Sequence, residues 1–173
     1  MVDPSRLPPN DGPAPSSPPC DPIDGVVVRP LLRHTDARGW LVELFREDEL
    51  PPECRPAMAY VSQTLPGVAR GPHEHRDQTD AFAFIGPGDF TLYLWDARRE
   101  SRTFGRRQTL VVGESNRALV LIPPGVVHAY RNTSGVPGLV FNCPNRLYAG
   151  RGRREPVDEI RHEDRPGSPY QLD

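Results

Sequence analysis

The stretch GVARGPHEHRDQTD, residues 67–80, carries two of the chain's five histidines, His73 and His75, with one residue between them. In a β-strand, residues two apart point to the same face of the sheet, so both imidazoles project into one space. A second segment, PPGVVHAYRN at residues 123–132, places His128 at the start of another predicted strand, directly after a Pro-Gly turn. The two segments together predict a site built from separate strands.

The chain from Gly25 onward consists of short apolar segments separated by Gly, Pro, Asn and Asp. They are GVVVRPLLR, WLVELF, AMAYVSQT, AFAFIG, FTLYLW, QTLVVG, ALVLIP, VVHAY and GLVFNC. None has helical periodicity, and many short strands at even spacing are typical of an antiparallel sandwich or barrel. We therefore predict an all-β domain over residues 25–173. Residues 1–24 are crowded with proline, which predicts a disordered arm that buries little apolar surface.

Composition excludes several classes of function. A net charge of −2 gives no electrostatic reason to expect nucleic acid or a membrane surface as partner, and no apolar run is long enough to span a bilayer. All 21 basic residues are arginines, so no side-chain amine can form the Schiff base of pyridoxal phosphate. No glycine-rich fingerprint indicates a nicotinamide or flavin nucleotide. Three cysteines without ligand spacing (Cys20, Cys54 and Cys143) and no signal-peptide pattern suggest a cytoplasmic protein.

The two histidine segments resemble the paired motifs of the cupins. Gly67, His73 and His75 match the first motif, and Pro123, Gly125, His128 and Asn132 match the second. The resemblance covers residues 60–143 and implies a jelly-roll, or double-stranded β-helix, barrel. In metal-binding cupins the first motif continues to a glutamate, and Asp80 stands in that place here. A divalent metal bound by His73, His75, Asp80 and His128 would make the chain a metal-dependent oxygenase or isomerase of a small organic substrate.

A closer resemblance extends over residues 36–164. HTDARGWLVELFRED, GVARGPH, SRTFG and IPPGVVHAY, in this order, resemble the dTDP-4-dehydrorhamnose 3,5-epimerases and related sugar-nucleotide enzymes. This branch of the cupins dimerises and requires no metal or other cofactor. The resemblance implies a homodimer that epimerises or isomerises a nucleotide-linked 4-keto-6-deoxy sugar by removing a proton next to the carbonyl.

The same resemblance implies roles for individual residues. His73, after Arg70-Gly71-Pro72, matches the base, and Asp164 matches the aspartate that partners it. Arg70 matches a diphosphate contact. Arg38 and Glu43, from the DxRGxxxE stretch, match residues that hold the nucleotide or sugar. His128 and Tyr130 are expected to line the substrate pocket.

Three departures from the family pattern leave alternatives open. Asp80 stands where the family has a lysine, and the family's proton-returning tyrosine falls at Phe141 or Asn142, which cannot donate such a proton; Tyr130 and Tyr148 are the candidate replacements. His75 is not part of the epimerase motif. A single epimerisation or a ketoisomerisation therefore fits better than a double epimerisation, and a non-catalytic sugar-nucleotide-binding cupin is a third alternative.

A histidine bound to metal cannot also take a proton, so under the metal alternative the base would be Glu74, Tyr130 or His162.

Overall fold

The protein folds as two antiparallel β-sheets with a separate hairpin. The computed structural model describes residues 22–173. Its strands are β1 (Val27–Pro30), β2 (Arg33–Asp36), β3 (Gly39–Val42), β4 (Tyr60–Thr64), β5 (Ala69–Glu74), β6 (Asp80–Phe84), β7 (Asp89–Asp96), β8 (Arg107–Gly113), β9 (Ala118–Ile122), β10 (Val126–Asn132), β11 (Gly138–Asn142) and β12 (Ile160–Arg161). Within residues 22–173, short 3₁₀ turns span Glu47–Glu49, Pro52–Cys54 and Arg151–Arg153. The predicted all-β fold is confirmed.

The strand order of the two sheets brings distant segments of the chain together. One sheet has the order β1-β9-β6-β11-β4, the other has the order β12-β5-β10-β7-β8, and β2 pairs only with β3. The non-sequential order follows the jelly-roll pattern, in which neighbouring strands come from distant parts of the chain. β5 and β10, which carry the two histidine segments, are neighbours in one sheet, and β6, which begins at Asp80, lies in the other.

The core lies between the facing sides of the two sheets. Four aromatic rings from β6, β7 and β10 (Phe82, Phe84, Phe90 and Tyr130) pack with centroids 5.7–6.1 Å apart, mostly edge to face. This geometry is favoured by the aromatic quadrupole, and the rings bury large apolar areas. All five residues of β6 and all five of β9 are buried. The site residues on β5, β6 and β10 are therefore held on rigid strands.

A bulge in β5 positions His73. His73 pairs with His128 and Arg70 pairs with Tyr130, so Gly71 and Pro72 lie together opposite a single residue of β10. Such a bulge bends the strand and re-aims the side chains beside it. Gly71 has a φ of +81°, and a Cβ there would lie 2.6 Å from the carbonyl oxygen of His128. Only glycine allows β5 to approach β10 this closely.

The predicted arm over residues 1–24 lies almost entirely outside the described residues. Its last residues are part of the fold: Ile23 is buried, its backbone N–H donates to the Gln108 side chain, and the N–H of Asp24 donates to Thr103. Ile23 thus belongs to the core of the domain that was predicted to begin at Gly25. Within residues 22–173, no helix has the length and apolar character needed to span a membrane.

Candidate active site

A cavity of about 660 Å³ opens at one end of the barrel. Its floor includes His73, His75, Phe82 and Tyr130, and β4 contributes Tyr60. The segment between β11 and β12, residues 144–159, forms most of the rim. This volume lies within the range of small-molecule sites, and the mixture of aromatic, imidazole and arginine side chains suits a polar ligand with apolar parts.

Three imidazoles converge next to this cavity, and two of them, His73 and His75, line it. The ring of His73 lies 4.3 Å from that of His128 and 5.6 Å from that of His75, measured between centroids. The nitrogens of the three rings and a carboxylate oxygen of Asp80 all lie within 4.8 Å of one another. The structure therefore brings together the four residues that the cupin motifs predicted, although they come from three strands and the β5–β6 loop.

Asp80 is the centre of this cluster and is fully buried. One carboxylate oxygen, Oδ1, accepts hydrogen bonds from the amide nitrogens of Gln78 at 2.9 Å and Asn142 at 2.8 Å. The other, Oδ2, lies 3.2 Å from Nε2 of both His75 and His128. Burial opposes ionisation of Asp80, but the two imidazoles outweigh it and hold the pKa of the carboxyl group well below its usual value. Asp80 is therefore an anion.

Asp158 fixes the position of His75 from outside the barrel. Its carboxylate accepts the backbone N–H groups of Arg76, Asp77 and Gln78, each at 2.9 Å. Its backbone carbonyl accepts a hydrogen bond from Nδ1 of His75. The rim segment and the loop after β5 are thereby joined into one unit. The sequence alone did not single out Asp158, because it lies 83 residues from its imidazole partner.

His73 is a neutral imidazole. Burial, and then the nearby ring of His128, lower its pKa to about 2, although the charge of Asp80 acts in the opposite direction. Neither ring nitrogen has a hydrogen-bond partner within residues 22–173. The ring is therefore in the form that can accept a proton, and it lines the cavity.

Tyr60 is a second titratable group that lines the cavity, and the sequence patterns did not indicate it. Asn142 lies opposite Tyr60 in the β11–β4 register, and its amide nitrogen donates to the Tyr60 hydroxyl at 3.0 Å. Burial raises the pKa of Tyr60 to about 12, so the hydroxyl keeps its proton near neutral pH. Asn142 is one of the two positions at which the family's tyrosine was expected. Tyr60 thus places its hydroxyl next to Asn142, a position where the resemblance predicted a tyrosine and this chain has none.

Two of the predicted substrate contacts line the cavity. The Arg70 guanidinium donates to the Gln63 carbonyl at 2.8 Å and to the Thr64 hydroxyl at 3.0 Å, which fixes it at the cavity wall. The buried Tyr130 hydroxyl lies 3.1 Å from that of Ser62. His128 is also buried but does not itself line the cavity, since it lies behind His73.

Three other predicted site residues lie elsewhere. Asp164 is exposed beyond β12 and forms no hydrogen bond or ion pair with His73 within the described residues, so the predicted His73–Asp164 pair is not formed. The carboxylate next to His73 is Asp80 instead. Arg38 and Glu43 are exposed at the β2–β3 hairpin and do not line the cavity; Arg38 pairs with Asp36 at 2.5 Å. Their substrate-binding roles stay predictions.

Comparisons with known proteins show which family the chain is similar to. A family model described as dTDP-4-dehydrorhamnose 3,5-epimerase matches residues 21–158. The chain is 39% identical over 127 residues to the probable low-salt glycan biosynthesis epimerase Agl13 of Haloferax volcanii, a match that covers 73% of this chain and 81% of the relative. It is 40% identical over 115 residues to the spore coat polysaccharide biosynthesis protein SpsL of Bacillus subtilis, covering 66% and 75% of the two chains.

A solved structure shows the same fold. The dTDP sugar isomerase of Desulfovibrio desulfuricans G20 superposes with a TM-score of 0.74 at 26% identity, over 86% of this chain and 91% of the other. The fold is thus shared with a dTDP sugar isomerase.

Proposed function

Because the chain belongs to the dTDP-4-dehydrorhamnose 3,5-epimerase family and is an isomerase of nucleotide-linked keto sugars, we propose that His73 removes the proton beside the sugar carbonyl. The substrate that we propose is a nucleotide-linked 4-keto-6-deoxy sugar. The observation that carries this proposal is a neutral, unpartnered imidazole on the floor of a substrate-sized cavity. The family favours this reaction over the metal-dependent oxygenase and the non-catalytic binding protein.

Asp80 supports the base in this reaction. When His73 takes the proton, its ring becomes a cation in a buried site, which is costly without a nearby anion. The Asp80 carboxylate is such an anion, and its charge partly offsets the lowering of the His73 pKa by burial and by His128. We therefore assign to Asp80 the role that the sequence predicted for Asp164. The electron pair of the broken C–H bond forms the enolate of the sugar ketone.

Tyr60 returns a proton to the enolate in our proposal. Its hydroxyl is protonated near neutral pH and is held by Asn142 at the same cavity. A proton that returns from a group other than His73 can arrive on the other face of the carbon, and this inverts the configuration. The phenolate left on Tyr60 regains a proton from water, and the imidazolium of His73 releases its proton to water, so both groups return to their starting forms. Neither transfer requires a cofactor.

Arginine side chains at the cavity suit the diphosphate of the nucleotide. Arg70, Arg146, Arg153 and Arg161 all line it. The planar guanidinium group binds phosphate oxygens with two parallel hydrogen bonds. Some acidic residues of the rim are already engaged, because Glu159 pairs with Arg161 and the Asp158 carboxylate binds backbone N–H groups. We propose that Arg70, which the cavity wall holds in place, contacts the diphosphate.

We also propose that the protein is a homodimer. The β2–β3 hairpin pairs with neither sheet, and two of its apolar side chains are exposed: Trp40 by 53% and Leu41 by 58%. A two-stranded hairpin is marginally stable in water unless something packs on it. We expect light scattering to give twice the chain mass of 19.3 kDa, and Trp40→Glu to give a monomer. A monomeric wild-type protein would contradict this.

A cytoplasmic location is consistent with the cysteines. Cys54 and Cys143 are free thiols, and the chain of 173 residues has one further cysteine, outside the described residues. Free thiols persist in reducing compartments. We propose a cytoplasmic enzyme, and cell fractionation with detection of the protein in the soluble fraction tests this.

Isotope exchange tests the proposed reaction. The wild-type protein is incubated with dTDP-4-keto-6-deoxyglucose in deuterium oxide, and the sugar is analysed by NMR and mass spectrometry. We expect deuterium at carbon 3 or carbon 5, since both are next to the carbonyl. Deuterium at one carbon indicates proton removal at that carbon alone, and deuterium at both indicates removal at both. If neither carbon gains deuterium beyond a protein-free control, the proposed reaction is wrong for this substrate.

A further inference from the structure

The proposed reaction needs a group that stabilises the oxygen of the enolate. Removal of a proton beside the sugar carbonyl places negative charge on the carbonyl oxygen, and a donor held at that oxygen is often the largest single contribution to catalysis. This chain has no lysine that could act there. Asp80 is already an anion next to the cavity, which disfavours a second negative charge nearby. A fixed hydrogen-bond donor that lines the cavity would meet this need.

The Tyr130 hydroxyl is a donor that can turn toward a ligand. It lines the cavity and lies 3.1 Å from the Ser62 hydroxyl, and either of the two oxygens can be the donor. By contrast, the Gln78 amide that also lines the cavity already donates to Asp80 at 2.9 Å. A hydroxyl both donates and accepts, so Tyr130 can accept from Ser62 and donate to a bound sugar.

The surroundings of Ser62 favour this direction of the hydrogen bond. The second neighbour of its hydroxyl is the Val140 carbonyl oxygen, at 3.5 Å. This distance is long for an O–H···O hydrogen bond, so the contact with Tyr130 is the better of the two. When Ser62 donates to Tyr130, the phenolic O–H is free for the carbonyl oxygen of a ligand. Ser62 can therefore orient the Tyr130 hydroxyl.

The fold holds Tyr130 close to the proposed base. Tyr130 lies two residues after His128 on β10, so both side chains point to the same face of the sheet, roughly 6.6 Å apart along the strand. His128 in turn lies opposite His73 in the register with β5. The Tyr130 ring is 3% exposed and packs edge to face against the rings of Phe82, Phe84 and Phe90, with centroids 5.7–5.8 Å away. A donor that is fixed before the substrate binds loses no energy in reorganisation.

The charges near Tyr130 also suit an oxyanion. Burial raises the pKa of Tyr130, so its hydroxyl keeps its proton near neutral pH. Among the nearby charges, the Arg70 guanidinium lowers the pKa of this hydroxyl by more than the Asp80 carboxylate raises it. Negative charge that develops beside Tyr130 is therefore closer in effect to a cation than to the buried anion.

We propose that the Tyr130 hydroxyl donates a hydrogen bond to the sugar carbonyl oxygen and stabilises the enolate, and that Ser62 is its positioning residue. This inference rests on the proposed function. The electron pair of the broken C–H bond moves to the carbonyl oxygen, and it returns to carbon when the proton from Tyr60 arrives. Tyr130 keeps its own proton throughout, so it is a catalytic donor to oxygen and not the group that protonates carbon.

Tyr130→Phe tests this role, because it removes the hydroxyl and keeps the packed ring. We expect kcat for deuterium exchange to fall by about 10²-fold, since loss of one oxyanion donor lowers kcat by roughly 10²–10³-fold, and dTDP affinity to stay unchanged. Ser62→Ala should lower exchange by only about two- to tenfold, because Tyr130 keeps its hydroxyl but loses its partner. The control is Tyr93→Phe, which removes the hydroxyl of a buried tyrosine that does not line the cavity, and it should exchange at the wild-type rate.

Infrared spectroscopy reports the same hydrogen bond without turnover. The sugar is labelled with ¹³C at the carbonyl carbon and bound to His73→Gln and to the double variant His73→Gln/Tyr130→Phe. We expect the carbonyl stretch at lower frequency in His73→Gln than in the double variant, because a donated hydrogen bond weakens the C=O bond. If the double variant does not fold, the comparison is between bound and free sugar, and an unshifted stretch in His73→Gln overturns the proposal.

Exchange at the wild-type rate in Tyr130→Phe, or equal losses in Tyr130→Phe and Tyr93→Phe, would also overturn it. These outcomes leave the proposed function intact, because the wild-type protein still exchanges deuterium. Absence of exchange in the wild-type protein contradicts the proposed function instead, while the carbonyl stretch still shows whether Tyr130 contacts the bound sugar. The two failures are therefore distinguishable.

Discussion

His73→Gln is expected to lower the rate of deuterium exchange into the keto sugar by about 10³-fold, because a general base contributes 10²–10⁴-fold. Glutamine has a similar size and polar character, but its amide does not accept a proton from carbon. The ring that it replaces is the neutral, unpartnered imidazole at the cavity floor. Substrate affinity is expected to change little, because binding depends chiefly on the arginines around the cavity. The exchange rate is measured by NMR in deuterium oxide, and affinity by calorimetry with dTDP.

The matched control for this variant is His162→Gln. His162 is also a buried histidine close to β5, but its Nε2 is bound to Glu74 at 2.9 Å and it does not line the large cavity. We expect this variant to exchange deuterium at nearly the wild-type rate. Exchange in His73→Gln within tenfold of wild type would show that another group is the base. Loss of exchange in both variants would indicate damage to β5 and leave the assignment of His73 unsupported.

Tyr60→Phe is expected to separate inversion from exchange. Without the hydroxyl, His73 still removes the proton and returns a deuteron to the same face, so exchange continues. Inversion requires a donor on the other face, and we expect its rate to fall by about 10²-fold, within the range for a general acid. Exchange and epimeric product are followed in the same NMR sample. The hydroxyl that is removed has a pKa of about 12 and is held by Asn142.

Tyr148→Phe is the control, because Tyr148 is 60% exposed and lies at the rim of the same cavity. It should invert and exchange at wild-type rates. If Tyr60→Phe inverts the sugar as fast as wild type, another residue donates the proton. An equal loss of exchange and inversion would mean that Tyr60 acts in binding or in proton removal rather than in return.

Local sequence patterns were sufficient for the parts of the site that lie on single strands. His73 and His75 both line the cavity, as their spacing predicted, although β5 ends at Glu74, and β10 carries His128 three residues after Gly125 of the Pro-Gly turn. Asp80 follows in the next strand and joins the same cluster. The glycine at residue 71 was seen only as part of a motif, but its physical role is to let β5 bulge against β10.

The other parts of the site depend on the register between paired strands and on the paths of the loops, and local sequence patterns do not show either. Tyr60 reaches the site because β4 pairs with β11 in a register that places it opposite Asn142, 82 residues away. Asp158 reaches the β5–β6 loop only because the rim segment folds back over the barrel. Asp164, assigned from a loose match, lies two residues beyond His162, where the chain turns outward and exposes it.

A crystal structure with a dTDP-linked 4-keto-6-deoxy sugar bound to His73→Gln would test the central claim most directly. The account predicts that carbon 3 or carbon 5 of the sugar lies within about 3.5 Å of the residue 73 side chain, the distance for proton transfer or attack. It also predicts the Tyr60 hydroxyl on the opposite face of that carbon and the diphosphate at Arg70. A sugar bound outside the cavity, or with both carbons nearer another basic side chain than residue 73, would contradict it.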